Sequence, residues 1–117
     1  MDCAWGPESS HDAVERMLKT AARPTALICL NDRIAFGAYQ ALQEAGLTIP
    51  LDVSVVSFEE SNLASWLRPE LTSVAVPHYQ MGCRAVELLL AGQLPDRIEQ
   101  LAMPVRERSS VAPPNPH

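Results

Sequence analysis

Apolar residues at Ala13, Val14, Met17, Leu18 and Ala21 repeat with the spacing of one helical face, which predicts a helix over residues 9–21. Ser9 or Ser10 would cap it, and Arg23-Pro24 would end it, because the residue before proline avoids the helical region. Residues 25–30 are almost all apolar, the pattern of a parallel strand buried on both faces. The spacing changes again after Asn31. Ala35, Ala38, Tyr39, Leu42 and Ala45 mark the inner stripe of a helix over about 32–45, with Asp32 as N-cap and Gly46 as the left-handed stop. A Pro-x-Asp turn then feeds a second buried strand at 53–58. Residues 61–70 read as a loop with a helical turn, closed by Arg68-Pro69, and 71–76 as extended. A helix over 79–91 would bury Met81, Ala85, Leu88 and Leu89 and stop at Gly92. Residues 98–106 alternate weakly and predict a last strand.

Strand, helix and strand within about 35 residues make one βαβ unit, so the fold class is α/β with a parallel sheet flanked by helices. Asn31-Asp32 and Glu59-Glu60 stand at the carboxyl ends of the two strands, the place where open α/β sheets bind ligands.

Composition narrows the function. The net charge of −5 opposes direct nucleic-acid binding, which needs a basic face against the phosphates. Cys3, Cys29 and Cys83 are odd in number and lack zinc or C-x-x-C spacing, so they read as reduced thiols, two of them small fillers in apolar contexts. The amino terminus lacks a signal-peptide pattern, and apolar runs are too short to span a bilayer, which implies a cytoplasmic protein without membrane contact. The proline-rich stretch 113–117 is expected to be a flexible tail. Nucleophile-elbow, phosphate-loop and zinc-protease motifs are missing, and His11, His78 and His117 make no metal spacing. Glu59 and Glu60 are adjacent and point apart, a poor acid/base pair. The expectation is no enzyme, no cofactor and no metal.

One spaced pattern is far more specific. P-x-A-L-I-x-x-N-D-x-x-A-x-G-A-x-x-A-L-x-x-x-G-L-x-I-P-x-D-V-S-V-V-x-F, followed by Arg68-Pro69 and Leu71-Thr72-Ser73-Val74, resembles the effector-binding domain of the LacI/GalR family of transcriptional regulators. MPVRERSSVAPP resembles that family's C-terminal strand and tail. The resemblance covers residues 5–112 and implies part of a type I periplasmic-binding-protein-like fold, in which a small effector binds between two lobes. Residues 1–112 would be the C-terminal portion of the effector-binding and dimerisation domain. About 77–97 would belong to the N-terminal lobe, and the DNA-binding helix-turn-helix would be absent.

The same resemblance suggests roles for single residues. Asn31 aligns with an effector-contacting Asn, and its amide suits a sugar hydroxyl; the plain reading is a turn residue before a helix. Glu59 aligns with the first acid of the G-F/Y-D-D/N motif, written here Ser57-Phe58-Glu59-Glu60, with Gly replaced by Ser and both acids one methylene longer. A solvated acidic loop is its alternative. Trp5 aligns with an aromatic that stacks on the effector, against simple burial in a core or interface. His78 sits at the lobe crossover as a lining residue or a partly buried structural one. Phe36, Trp66 and Leu67 align with a dimer interface. The implied partners are a second copy of the chain, a small effector of sugar type, and operator DNA reached only through the missing domain. Two readings stand beside this one: a fragment of a transporter's periplasmic sugar-binding protein, and a non-functional remnant that only self-associates.

Overall fold

The computed structural model describes residues 4–92, 96 and 98–115. The expectations for Cys3, for part of 77–97 and for the last two tail residues fall outside that range. Eight elements follow in order: α1 (Pro7–Leu18), β1 (Ala26–Cys29), α2 (Asp32–Glu44), β2 (Ser54–Glu59), α3 (Asn62–Trp66), β3 (Thr72–Ala75), α4 (His78–Leu90) and β4 (Val105–Arg106). They form one sheet in the order β1-β2-β3-β4. The first three strands are parallel, joined through α2 and α3, and β4 returns antiparallel to β3.

Helix α1 begins earlier than its stripe suggests. Pro7 takes the first turn, where its missing N–H is no loss, and Gly6 is an N-cap without a side-chain bond. Neither Ser9 nor Ser10 caps; the Ser10 hydroxyl instead donates to the Ile34 carbonyl of α2 at 2.6 Å. Ala13 and Val14 are buried and Met17 and Leu18 half-buried, but Ala21 lies past the helix and is exposed. On α2, Ala35, Ala38, Tyr39 and Leu42 are buried as the periodicity requires, and Gly46 stops the chain at φ 76°. Ala45 is exposed. The Pro-x-Asp turn closes by Thr48 N–H donating to Asp52 Oδ2 at 2.7 Å.

The core lies between the helix pair and one face of the sheet. Tyr39, Leu42, Val53, Val55 and Leu71 are each at most 1% exposed. Each such side chain contributes about 1.5–3 kcal/mol relative to exposure. The opposite face is only partly covered, and the expectation of a doubly buried first strand fails there: Ile28 is 74% exposed because β1 is a sheet edge with helices on one side only. Strand β2, by contrast, is central and has no open edge. Segment 108–112 crosses the amino ends of β2 and β3. Val55 N–H donates to the Ser110 carbonyl at 2.9 Å, and Thr72 N–H to Ser110 Oγ at 2.8 Å.

The last helix departs from its predicted packing. None of the residues of α4 is buried, Leu89 and Met81 are exposed, and of the expected stripe only Leu88 is half-buried. The helix has an apolar face with no surface of the sheet beneath it. The molecule is accordingly elongated, 56 × 25 × 24 Å, with a radius of gyration of 17.3 Å, against about 13 Å for a compact domain of this length.

Candidate functional site

The site at the carboxyl ends of the strands follows from register. Parallel pairing sets Ala26 opposite Ser54 and Cys29 opposite Ser57. Asn31 and Glu59 each stand two residues beyond the last pair, Cys29 and Ser57, at the carboxyl end of the sheet.

Asn31, not Asp32, is the N-cap of α2: its backbone is extended and its Oδ1 accepts from Ile34 N–H at 2.8 Å. The cap uses the amide oxygen, so the amide NH2 is the group left to face a ligand.

Asp32 has a different task from the predicted one. It is fully buried. Oδ1 accepts from the hydroxyls of Ser57 and Ser73, the latter at 3.1 Å. Oδ2 accepts from Ser61 N–H at 2.6 Å and Ser61 Oγ at 2.7 Å. Four neutral donors and the amino end of α2 thus hold this carboxylate. Among the described residues no ion pair reaches it. Ser57 and Ser73 are neighbours across β2 and β3 on the face that buries Val55. A serine alternating with Val55 on an inward face requires a polar partner, and that was the signal in the sequence for this network.

The two glutamates separate as expected, though not into equals. Glu59 is exposed and its carboxylate has no bond among the described residues. Glu60 is half-buried and accepts from Arg108 Nη2 at 2.8 and 2.9 Å, with Arg106 Nε at 3.6 Å. The Arg108 Nη1 group donates to the Leu71 carbonyl at 2.7 Å. The C-terminal segment therefore neutralises one acid of the pair and leaves the other to solvent.

Trp5 is 66% exposed and borders an apolar groove of about 310 Å³ between α1 and β1, with Leu27, Ile28, Leu30 and Ile34. Leu30, the residue before Asn31, lines the same groove; Asn31 itself does not. His78 is the first residue of α4 and is exposed, so it is not the partly buried structural residue of the alternative reading. It lines a shallow depression with Tyr79, Cys83 and Val86, to which Asn31, Glu59 and Trp5 contribute nothing.

The interface residues also divide. Trp66 is 74% exposed, whereas Leu67 is 6% exposed and belongs to the core, because it turns under α3. Phe36 is half-buried and packs against the core cluster. Cys29 is buried as a filler, but Cys83 is exposed. His11, which had no metal spacing to other histidines, lies within 4.8 Å of Asp12 and Glu15 on the exposed face of α1. Its ring is already held by Glu44, 2.7 Å away across the helix pair, and by Asp12, and these bonds raise its pKa.

A periplasmic binding protein-like domain model matches residues 1–111. A lactose operon repressor from Rhizobium radiobacter is 39% identical over 83 residues, covering 71% of this chain and 74% of that protein. The chain belongs to the LacI/GalR family. A ribose operon repressor from Haemophilus influenzae is 40% identical over 92 residues, or 74% of this chain. The chain spans only 28% of that repressor's length. A LacI family transcriptional regulator from Enterococcus faecalis, solved with bound ribose, superposes with a TM-score of 0.81 at 34% identity, covering 98% of this chain and 44% of that one. The α/β sheet with flanking helices is therefore a partial periplasmic-binding-protein-like fold of the LacI/GalR type. Among the described residues no helix is long and apolar enough to cross a membrane.

Proposed function

We propose that this LacI/GalR chain is the effector-sensing and self-associating part of a cytoplasmic transcriptional regulator, with a sugar as its effector and no catalytic role. Operator DNA would be engaged by other residues of the regulator, since the net charge of −5 offers no phosphate-binding face. The observation that carries the reading is that an amide donor at Asn31 and a Glu59 carboxylate with no bond among the described residues both stand at the carboxyl end of the parallel sheet, two residues beyond the last β1–β2 pair. A donor and an acceptor fixed on rigid elements suit a vicinal diol. Trp5 supplies an aromatic face nearby for a sugar's C–H surface. His78 would reach the effector only in a complete two-lobed cleft. The ribose named with two of the related proteins makes that pentose the first probe.

One wall of a cleft gives weak binding. We expect D-ribose to shift the Asn31 and Glu59 amide resonances with a dissociation constant on the order of millimolar, equivalent to about −4 kcal/mol. Asn31→Ser keeps a capping oxygen and removes the amide donor, so it should leave stability nearly unchanged and abolish the response. Asn31→Ala should lose the response and about 1 kcal/mol of stability as well. A ribose response that survives Asn31→Ser, or none in the parent chain, refutes the assignment.

A further inference from the structure

The turn that follows β2 does not rest on local preference. Glu59 has φ 106° and Glu60 φ 58°. Side chains bearing a Cβ resist this region, and two such residues in succession persist only where their surroundings over-determine them.

The ties are specific and all lie behind the turn. Glu60 N–H donates to Ser73 Oγ at 3.0 Å. Ser61 N–H and Oγ donate to Asp32 Oδ2 at 2.6 and 2.7 Å. The Glu60 carboxylate is held by Arg108. Glu59, the last residue of β2, is the one left exposed. The two oxygens of Asp32 do different things. Oδ1 is bound to both strands through Ser57 and Ser73, whose own oxygens stand 3.1 Å apart, and Oδ2 is bound to the turn. Asp32 also adjoins Asn31, which the capping bond fixes. One carboxylate therefore sets the turn against the cap.

We infer that Asp32 is a positioning residue for the effector site. With Ser57, Ser73 and Ser61 it holds Glu59 and Glu60 in the positive-φ turn that presents Glu59 at the same end of the sheet as the Asn31 cap, and it does not touch the effector itself. The inference deepens the proposed function, resting on the reading that Asn31 and Glu59 face the sugar. A fully buried carboxylate with only neutral partners is an expensive way to fill space. Among the described residues, its bonds converge on the segment where non-glycine residues take positive φ.

The test uses the whole chain, isotope-labelled and first without ligand. Asp32→Asn turns one accepting oxygen into a donor that faces donors. Amide exchange at Ser61 and Glu60 should accelerate by about tenfold more than exchange at Val55 and Val56. The three-bond couplings of Glu59 and Glu60 should move toward averaged values. Equal acceleration at all four amides would mark a merely stabilising role and overturn the inference, as would an unchanged turn. Should Asp32→Asn not fold, Ser57→Ala removes a single donor to Oδ1. It should act in the same direction, about threefold at Ser61, and unchanged exchange there is equally fatal. D-ribose is then added. In either variant the shift at Glu59 should shrink while Asn31 keeps its capping signature. A parent chain that ignores ribose counts against the reading of the site, whereas unchanged exchange in the turn counts against the positioning role whatever ribose does.

Discussion

Tyr39 shows how a single buried hydroxyl ties the central helix to the chain that follows α3. Its side chain is 1% exposed and its hydroxyl donates to the Pro69 carbonyl at 3.0 Å. Burial, the larger influence, pushes the phenol up to about 12 from 10.0, and the influence of the Ser110 hydroxyl opposes the rise. The folded state thus favours the protonated phenol more than the unfolded chain does. The associated stability is complete below pH 10.0 and is lost as pH rises toward about 12. Urea unfolding of the parent should therefore weaken across that window more steeply than that of Tyr39→Phe. Near neutral pH the Phe variant should be less stable by about 1 kcal/mol, because the Pro69 carbonyl loses its donor. Parallel pH profiles for the two proteins would contradict this account.

At the scale of elements, two glycines in helices carry opposite expectations. A Cβ at Gly37 of α2 would lie 2.1 Å from the Pro7 carbonyl oxygen and 2.1 Å from Ser10 Oγ, so α1 and α2 approach as closely as they do only without it. At Gly82 of α4 an added Cβ meets nothing within 4 Å. Alanine improves helix propensity at either site by about 1 kcal/mol. At Gly37 the clash is with backbone and should win, giving a net loss of about 1–3 kcal/mol in urea unfolding. At Gly82 the propensity gain should stand alone. The same contrast marks what was legible in the sequence. Ala35, Ala38, Tyr39 and Leu42 were readable because one helix packs on a face that its own period defines. Gly46 and Gly92 were readable because a positive φ selects glycine. The stripe of α4 was misread because periodicity identifies an apolar face without saying whether anything covers it. Asp32 was misread because capping rules use only neighbours in sequence, while its partners Ser57, Ser61 and Ser73 lie 25 to 41 residues away. Asn31 and Glu59 were proposed from the family resemblance and the strand ends, whereas the bonds that hold the turn beside Glu59 come from that same distant network.

For the whole molecule, the exposed apolar surface on α4 is the dominant unsatisfied feature. Tyr79 is 84% exposed, Leu89 70% and Leu90 83%. If two chains cover these faces mutually, six side chains at about 1.5–3 kcal/mol each give about 9–18 kcal/mol. Association costs about 4–15 kcal/mol in lost freedom. The surplus favours a homodimer, as the proposed self-associating role requires. Two surfaces compete for it: α4, and the face around Trp66, which is 74% exposed. Phe36→Glu does not separate them, since Phe36 packs on the core and a charge there would unfold the subunit. Leu89→Lys combined with Leu90→Lys alters only exposed positions, and so does Trp66→Lys. The larger apolar area lies on α4, so sedimentation velocity should find the parent and Trp66→Lys dimeric and the double lysine variant monomeric. A monomeric parent ends the prediction. The reverse pattern, with Trp66→Lys monomeric and the double variant dimeric, transfers the interface to the face beside α3.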